Sequence, residues 1–428
     1  MLTKKFQKND IIRCQRRVGE MKFKTARALA SVALVGSFVV AALPVVSSAS
    51  SANGVSNSTF NTKFSTMASL KSIVAKGKGK IAVILPDTVS STRYTEFDAP
   101  YLKQAFLAAG LTSSQFIIQN AQGSKTTQYT DAQADITNGA KVLLVDALDS
   151  TTGAQIETYA KAHGVKVIDY DRLVLGGSRS YYVSFDNVAV GTLIGHGLVS
   201  CVTAWHVKSP LVYVMKGDPT DNNATLFYQG YAAVLAKAGY STAKKNLLVQ
   251  GTGTWTPATA LTDFQGEYSS HAKINAVVTP NDENAAPIIS YLQSKGLKPK
   301  TIPFTGQDAT LTGFQNIVSG YQCGTVYKPI WLEAQAAAAL AVYLRSNMTP
   351  PSGLVNGTTP DTSATKASLK NVPSVLLKAT WVTASTVEKT VIADKVIKAS
   401  DLCTKVAPNV AGSKQPTYAK DCTTYGIK

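Results

Sequence analysis

The chain has 428 residues, enough for two domains of ordinary size, each with its own apolar core. Apolar residues make up 45% and charged residues 16%, which excludes a disordered chain and indicates a folded protein with a largely neutral polar surface. The net charge is +17, and the basic residues that follow the first 49 residues are scattered along the chain, without interleaved aromatic residues or a helix-turn-helix signature. This pattern argues against nucleic-acid binding and fits attraction to an anionic membrane or cell wall.

The first 49 residues are predicted to be a secretory signal peptide. MKFKTARALASVALVGSFVVAALPVVSSAS has a basic start, an apolar run from Ala28 to Val46, and a small-residue end in which Ser47 and Ala49 fit a cleavage site. Met21 is then expected to be the true start of translation. The apolar run is nearly long enough to span a bilayer, so an uncleaved membrane anchor remains the alternative. In both cases the folded part is expected outside the cytoplasm, secreted, periplasmic or associated with the cell surface.

The rest of the chain predicts an α/β fold. Residues 50–78 are rich in Ser, Asn and Lys and are interpreted as a flexible linker. From Lys80 onward, stretches of helical spacing separate two series of short apolar runs, KIAVIL, QFIIQN, KVLLVD and VKVIDY, then PLVYVM, NLLVQ, INAVVT and TIPFTG. Continuous apolar strands alternating with helices predict parallel sheets that are covered on both faces, and two series predict two doubly wound lobes.

The cysteines predict two disulfides. Cys14 lies in the leader, which leaves Cys201, Cys323, Cys403 and Cys422, an even number in a secreted chain. Three connectivities are open, and we favour Cys403 with Cys422 because they lie close together in a polar tail. No cysteine has a CxxC or Cys/His context and the four histidines are isolated, so we predict no metal site and no cofactor.

Polar side chains follow the predicted strands, where ligands of doubly wound sheets bind. The clusters are Ser91, Thr92, Arg93 and Tyr94; Asp171 and Arg172; Asp221, Asn222 and Asn223; Trp255; Asn281 and Asp282; Gln307 and Asp308; and Lys328. Each could simply cap a helix or form a turn. Together, however, carboxylates, amides and cations suit sugar hydroxyls, and aromatic faces suit the C–H patches of a pyranose. The set therefore favours a monosaccharide as the ligand.

Glycoside hydrolysis is the enzymatic alternative. It needs a carboxylic acid with a raised pKa facing a second carboxylate. Asp171 adjoins Arg172, and Asp221 lies among amides at a predicted helix start, so we expect both carboxyl groups to be ionised. We therefore predict binding and no enzymatic activity.

Seven motifs resemble one known family. YDRLV, YYVSFDNVAVG, GDPTDNNATLF, TPNDENAAPI, FTGQDATL, GTVYKPI and VPSVLLKATWV run in the order found in the type I periplasmic sugar-binding proteins of ABC transporters, most closely its xylose-binding members. They cover about residues 79–402. The resemblance implies two Rossmann-like lobes joined by a three-segment hinge, with crossings near Ser184 to Asn187, Gly306 to Ala309 and Thr325 to Pro329.

The resemblance also implies domain limits and a ligand site. The first lobe would comprise residues 79–185 plus 308–325, the second 186–307 plus 326–402, and 403–428 would be a tail. The implied sugar contacts are Arg93, Tyr94, Arg172, Asp221, Asn223, Trp255, Asn281, Asp308 and Lys328. Tyr94 stands where the xylose binders carry tryptophan. The tail and the Ser/Thr/Pro-rich insert from Asn347 to Asn371 have no counterpart and are interpreted as surface elaboration.

The predicted function is that of a monomeric extracytoplasmic protein that captures a monosaccharide, foremost D-xylose, and delivers it to an ABC transporter permease. A sugar-sensing subunit for a signalling receptor and a binder of another pentose or hexose remain alternatives. The lac repressor-like regulators share such lobes but begin with a DNA-binding headpiece, whereas this chain has an apolar leader in that place.

Overall fold

The computed structural model describes residues 54–367, 370–404 and 418–428. The predicted signal peptide lies outside the described residues. The strands are β1 (Lys80–Leu85), β2 (Phe116–Asn120), β3 (Ala140–Val145), β4 (Lys166–Tyr170), β5 (Tyr181–Phe185), β6 (Val212–Val214), β7 (Leu247–Val249), β8 (Ala276–Val278), β9 (Thr325–Tyr327), β10 (Gly357–Pro360), β11 (Asn371–Leu377) and β12 (Thr380–Val382). The α-helices are α1 (Lys71–Val74), α2 (Ala99–Ala108), α3 (Lys125–Thr137), α4 (Ser150–Ala162), α5 (Asn187–Ala204), α6 (Asn222–Lys237), α7 (Pro257–Ser270), α8 (Asp282–Ser294), α9 (Leu311–Val318), α10 (Ile330–Arg345), α11 (Ala399–Thr404) and α12 (Ala419–Thr424).

The first lobe is built on a seven-stranded sheet in the order β10-β11-β5-β4-β3-β1-β2. All neighbouring strands are parallel except the edge pair of β10 and β11. Five of the six residues of β1 are buried, as expected for a strand whose two faces are both covered by helices. The continuous apolar runs in the sequence therefore correspond to strands in the interior of this lobe.

The second lobe has a smaller parallel sheet in the order β7-β6-β8, and β9 and β12 form an antiparallel pair. Its helices α5 and α6 approach closely: a Cβ at Gly191 would lie 2.1 Å from the Phe227 carbonyl oxygen, and one at Gly230 would lie 2.3 Å from that of Val188. Among the described residues, only α5 is long and apolar enough to cross a membrane, and half of it is buried inside the lobe. It is the core helix of this lobe.

The chain crosses between the lobes three times, but one crossing differs from the prediction. It crosses at 185–187, 327–330 and 377–380, because α10 packs on α2 and β3, β11 pairs with β5, and β12 returns to β9. The predicted crossing at Gly306 to Ala309 is wrong, since α9 packs on α8 in the second lobe. Residues 311–325 thus belong to the second lobe and 330–377 to the first, the reverse of the predicted division. An apolar strand has the same sequence pattern in both lobes, so the sequence did not reveal which sheet it joins.

Three segments predicted to be peripheral pack on the lobes. Residues 54–78, predicted as a flexible linker, bury Phe60, Phe64, Met67 and Leu70 in the core of the first lobe. The insert forms the edge strand β10, and its Asp361 accepts hydrogen bonds from Arg179 at 2.9 and 3.0 Å. In the described part of the tail, Cys422 and Ile427 are buried in a cluster that includes Phe314 of α9. In residues 54–78, burial of apolar side chains at intervals of three or four residues outweighs the polar composition.

Two disulfides join the four cysteines that follow the leader. Cys403 is bonded to Cys422, the pairing favoured from the sequence, and Cys201 is bonded to Cys323. The second bond links α5 to the segment before β9 and closes a loop with a sequence separation of 122 residues, whereas the first spans only 19. Both bonds lie within the second lobe.

Candidate functional site

A narrow crevice between the two lobes, with a cavity volume of only about 20 Å³, contains the candidate site. Its lining is Ser90, Ser91, Arg93, Tyr94, Asp171, Arg172, Asp221, Asn223, Phe227, Trp255, Asn281, Gln307, Asp308 and Lys328. All nine predicted sugar-contact residues are in this set. A larger groove on the outside, lined by Tyr129 and Tyr159 among others, is open to solvent and contains none of them.

The elements explain why these residues converge. The turns after β1 and β4 supply the first-lobe side chains, including Arg93 and Arg172. The N-termini of α6 and α8 supply Asp221 and Asn281, each of which caps its helix by accepting a backbone N–H bond. Lys328 lies at a crossing segment between β9 and α10. The crevice therefore lies outside the carboxyl ends of parallel strands, as this type of fold leads one to expect.

Arg93 holds a buried network of acidic side chains. Its Nε and Nη2 donate to the two carboxylate oxygens of Asp98 at 2.8 Å, Nη1 donates to Asp171 at 2.8 Å, and Nη2 also donates to Glu333 at 2.7 Å. The guanidinium is only 1% exposed. Because most of its N–H groups are used by carboxylates, Arg93 mainly positions Asp171 at the crevice wall and has little capacity left for a ligand.

Arg172, in contrast, retains unused hydrogen-bonding capacity. Its Nη2 donates to the Tyr94 hydroxyl at 2.9 Å, but its Nη1 contact with the Ala147 carbonyl is long, at 3.4 Å. Its buried Nε makes no hydrogen bond and lies 3.5 Å from carboxylate oxygens of Asp146 and Asp221. The Arg172 guanidinium also lies over the Tyr94 ring, 5.7 Å from its centroid. Asp146, Asp221 and the Tyr94 ring thus hold Arg172, a charged hydrogen-bond donor, at the wall of the crevice.

The stretch GDPTDNNATLF combines capping with crevice lining. Asp221 Oδ1 accepts the backbone N–H of Asn223 at 2.9 Å, while Oδ2 accepts from Trp255 Nε1 at 3.1 Å. Asn223 donates to the Asp171 carbonyl at 2.9 Å and accepts from the Tyr182 hydroxyl at 3.1 Å. Asp171 and Tyr182 belong to the first lobe, so Asn223 connects the two lobes across the crevice.

Carboxylates of the second lobe complete the opposite wall. Asp308 Oδ1 is paired with Lys328 Nζ at 2.9 Å, and Asp308 Oδ2 lies 3.1 Å from Ser91 Oγ of the first lobe. Glu283 Oε1 accepts the backbone N–H of Thr92 at 3.0 Å and lies 2.9 Å from Ser91 Oγ. These bonds hold the two lobes together over the crevice, so the structure is a closed form.

The backbone is strained at two crevice carboxylates. Asp171 has a φ of 59° and Asp308 a φ of 82°, in the left-handed region that residues other than glycine rarely adopt. Such conformations are kept where the surrounding contacts impose them, and they concentrate at functional sites.

The surroundings shift the pKa values of the crevice carboxyl groups in opposite directions. Burial opposes ionisation of Asp171, but Arg93, Lys328 and Arg172 together lower its pKa, as the sequence led us to expect. Burial raises the pKa of Asp221 in spite of the opposing effect of Arg172, which is the opposite direction from the one that the sequence led us to expect. Burial, Asp308 and Asp282 raise the pKa of Glu283 to about 8. Burial of a capping carboxylate outweighs the amides around it.

The sequence did not identify several residues that shape the site. Ser90 and Phe227 line the crevice, while Glu283 and Glu333 hold lining residues from behind. Glu333 could have been identified from the sequence, because it is the single acidic residue of the apolar helix α10. Among the described residues, no group of three or more His, Cys, Asp or Glu could hold a metal ion.

Comparison with known proteins gives a consistent result. Residues 81–347 match the family described as "Periplasmic binding protein domain". The chain is 34% identical over 290 residues to the D-xylose-binding periplasmic protein of Escherichia coli, which covers 68% of this chain and 83% of that protein. It is 30% identical over 345 residues to the multiple sugar-binding periplasmic receptor ChvE of Rhizobium radiobacter, covering 77% of this chain and 93% of that protein.

A solved structure agrees with these sequence relatives. The carbohydrate transporter solute binding protein from Chloroflexus aurantiacus, determined in complex with D-glucose, superimposes with a TM-score of 0.65 at 27% identity. The match covers 75% of this chain and 97% of that chain. The two-lobed type I periplasmic binding protein fold is thus common to both.

Proposed function

The chain belongs to the periplasmic binding protein family, and from this premise we propose that it captures one monosaccharide, foremost D-xylose, between its lobes and delivers it to an ABC transporter permease. The relatives are named as periplasmic proteins, and the two disulfides fit the same oxidising, extracytoplasmic compartment. Closure of the lobes around the sugar would create the surface that the permease recognises. In this role the protein acts as a monomer, carries no cofactor and turns over no substrate.

One observation carries the proposal. Buried polar atoms at the crevice, Arg172 Nε and Gln307 Oε1, make no hydrogen bond within the described part of the chain. Leaving such groups unpaired costs about 1–3 kcal/mol each, so a ligand that supplies both donors and acceptors would stabilise the closed form. A sugar hydroxyl offers one donor and two acceptor lone pairs, which suits these groups.

The direct test is calorimetric titration of residues 50–428 with a panel of pentoses and hexoses. We expect saturable binding of one monosaccharide at one site per chain, with D-xylose among the tightest and D-glucose as the main competitor. Binding weaker than about 1 mM for every sugar, which is close to −4 kcal/mol, would refute the proposal.

Trp255→Ala should weaken sugar binding by about 1–3 kcal/mol, because the partly buried indole is a large apolar face of the crevice. Its ring stands edge-on to Phe227, with 6.4 Å between centroids, and Asp221 fixes its Nε1. Titration of the variant measures the loss. Trp205→Ala removes an equally partly buried indole outside the crevice and should leave the affinity unchanged. Equal affinities of the two variants would remove Trp255 from the site.

The sugar affinity should fall as the pH rises from about 4.5 to 8. In the closed form Glu283 accepts hydrogen bonds from Ser91 and Thr92 of the first lobe. Its burial, followed by the effects of Asp308 and Asp282, raises its pKa from 4.5 to about 8. Closure then takes up a proton, so the closed form loses stability as the pH rises. The sugar affinity should therefore fall by up to about tenfold for each pH unit. Titrations across this range should show the slope in the wild type and not in Glu283→Gln, whose amide oxygen can still accept from Thr92. A slope that persists in Glu283→Gln would assign the proton to another group.

A further inference from the structure

A concave basic pocket lies on the first lobe, at the end of the sheet opposite to the sugar crevice. Lys76, Lys78, Lys141, Lys166 and Arg345 line it, and no Asp or Glu is among its lining residues in the described part of the chain. The pocket has a cavity volume of about 480 Å³ and is open to solvent. Five cations without a carboxylate repel one another, so this arrangement favours binding of an anion.

The topology brings these cations together. Lys141 precedes Val142, which is the register partner of Lys166 on the adjacent parallel strand β4. Lys76 and Lys78 lie in the turn between α1 and β1, and Arg345 is the last residue of α10. Parallel strands begin at the same edge, and β4 has five residues, so the pocket lies about 15 Å from the carboxyl ends where the crevice is. The two sites are therefore independent.

Arg345 is a buried cation with unused hydrogen-bonding capacity at this pocket. The residue is only 5% exposed, and its Nε and Nη1 donate to the carbonyl oxygens of Gly79 at 2.8 Å and Val74 at 3.1 Å. Its Nη2 has no hydrogen-bond partner within the described residues and is accessible to solvent at the pocket that the side chain lines. Burial lowers the pKa of Arg345, and no carboxylate opposes that effect. The bonds to Val74 at the end of α1 and to Gly79 before β1 account for two of the guanidinium nitrogens but for neither Nη2 nor the four lysines.

We propose that this basic pocket binds a phosphate group, carried either by an anionic lipid headgroup or by a soluble phosphate. A terminal or inorganic phosphate carries about −1.5 to −2 charges near neutral pH and a lipid phosphodiester about −1, and both present several oxygens that a cluster of cations can share. A guanidinium nitrogen fixed in a rigid fork beside flexible ammonium groups is a common way to hold phosphate oxygens. The pocket would hold the protein at an anionic surface while the crevice remains open to sugar.

The test compares two double variants of residues 50–428 that remove the same net charge. Lys141→Gln/Lys166→Gln changes the pocket, and Lys237→Gln/Lys298→Gln removes two exposed lysines of the second lobe. Cosedimentation with phosphatidylglycerol-containing vesicles and titration with inorganic phosphate provide the two arms. Phosphatidylcholine vesicles serve as the uncharged reference.

We expect the pocket variant to lose about tenfold or more of the wild-type binding in at least one arm, and the second-lobe variant to lose much less. Binding of inorganic phosphate alone would identify a soluble ligand, and binding of vesicles alone would identify a headgroup. Equal losses in both double variants, or no binding in either arm, would overturn the proposal. Sugar titration of the pocket variant should be unchanged, which separates this outcome from damage to the fold and from failure of the sugar assignment.

Discussion

Arg93→Met should lower the free energy of unfolding by about 3–5 kcal/mol, the largest stability loss that we expect from any single change in the crevice. Arg93 is the cation shared by Asp98, Asp171 and Glu333, all at 2.7–2.8 Å and all buried. Its removal leaves these acidic groups without an ion-pair partner among the described residues. Urea unfolding of the variant measures the loss, and Arg93→Lys, which keeps the charge but not the fork, should lose less.

Lys103→Met is the matched control for this change. It also removes one positive charge and introduces methionine, but Lys103 is exposed on α2. A surface change of this kind is expected to shift the free energy of unfolding by no more than about 0.5 kcal/mol. If Arg93→Met were as stable as Lys103→Met, the buried network would not hold the first lobe together.

Arg172→Met should weaken sugar binding by about 3 kcal/mol or more, roughly 100-fold. Hydrogen bonds to charged groups contribute about 1.5–3 kcal/mol each, and Arg172 has a free Nε and only a long contact at Nη1. The substitution also leaves Asp146 and Asp221 without the cation that lies 3.5 Å from both. Titration of the variant with the sugar preferred by the wild type measures the effect.

Arg172→Lys separates charge from geometry at this position. The ammonium group keeps the positive charge but cannot reproduce the planar fork, so we expect an affinity between those of the wild type and Arg172→Met. Thermal unfolding of both sugar-free variants checks that each still folds. An affinity of Arg172→Met within about threefold of wild type, less than one such hydrogen bond contributes, would exclude Arg172 as a ligand contact.

The convergence of the site was predictable, but the role of each residue was not. Parallel strands end at one edge of a sheet, so following each apolar run to its end led to clusters that contain all nine residues that the family resemblance implied as sugar contacts, and all nine line one crevice. Arg93 was predicted as a sugar contact, yet it serves carboxylates, one of which is Glu333, 240 positions later in the chain. No local pattern indicates a partner at that distance.

The sequence led to the wrong place in the fold for two segments, residues 54–78 and the strand β11. Residues 54–78 look like a polar linker, but Phe60, Phe64, Met67 and Leu70 recur at intervals of three or four residues and are buried. The strand β11 has the apolar pattern of any interior strand, and only its register with β5, Ser374 opposite Tyr182, places it in the first lobe. The spacing in residues 54–78 was visible in the sequence but was given less weight than the polar composition, whereas the sheet that β11 joins depends on a packing partner that no single-sequence pattern contains.

A crystal structure of residues 50–428 with the tightest-binding sugar of the panel tests the central claim most directly. The account predicts one monosaccharide ring between the lobes, within hydrogen-bonding distance of Arg172 from the first lobe and of Asp308 from the second. A ring bound outside the crevice, or in contact with one lobe alone, would contradict it.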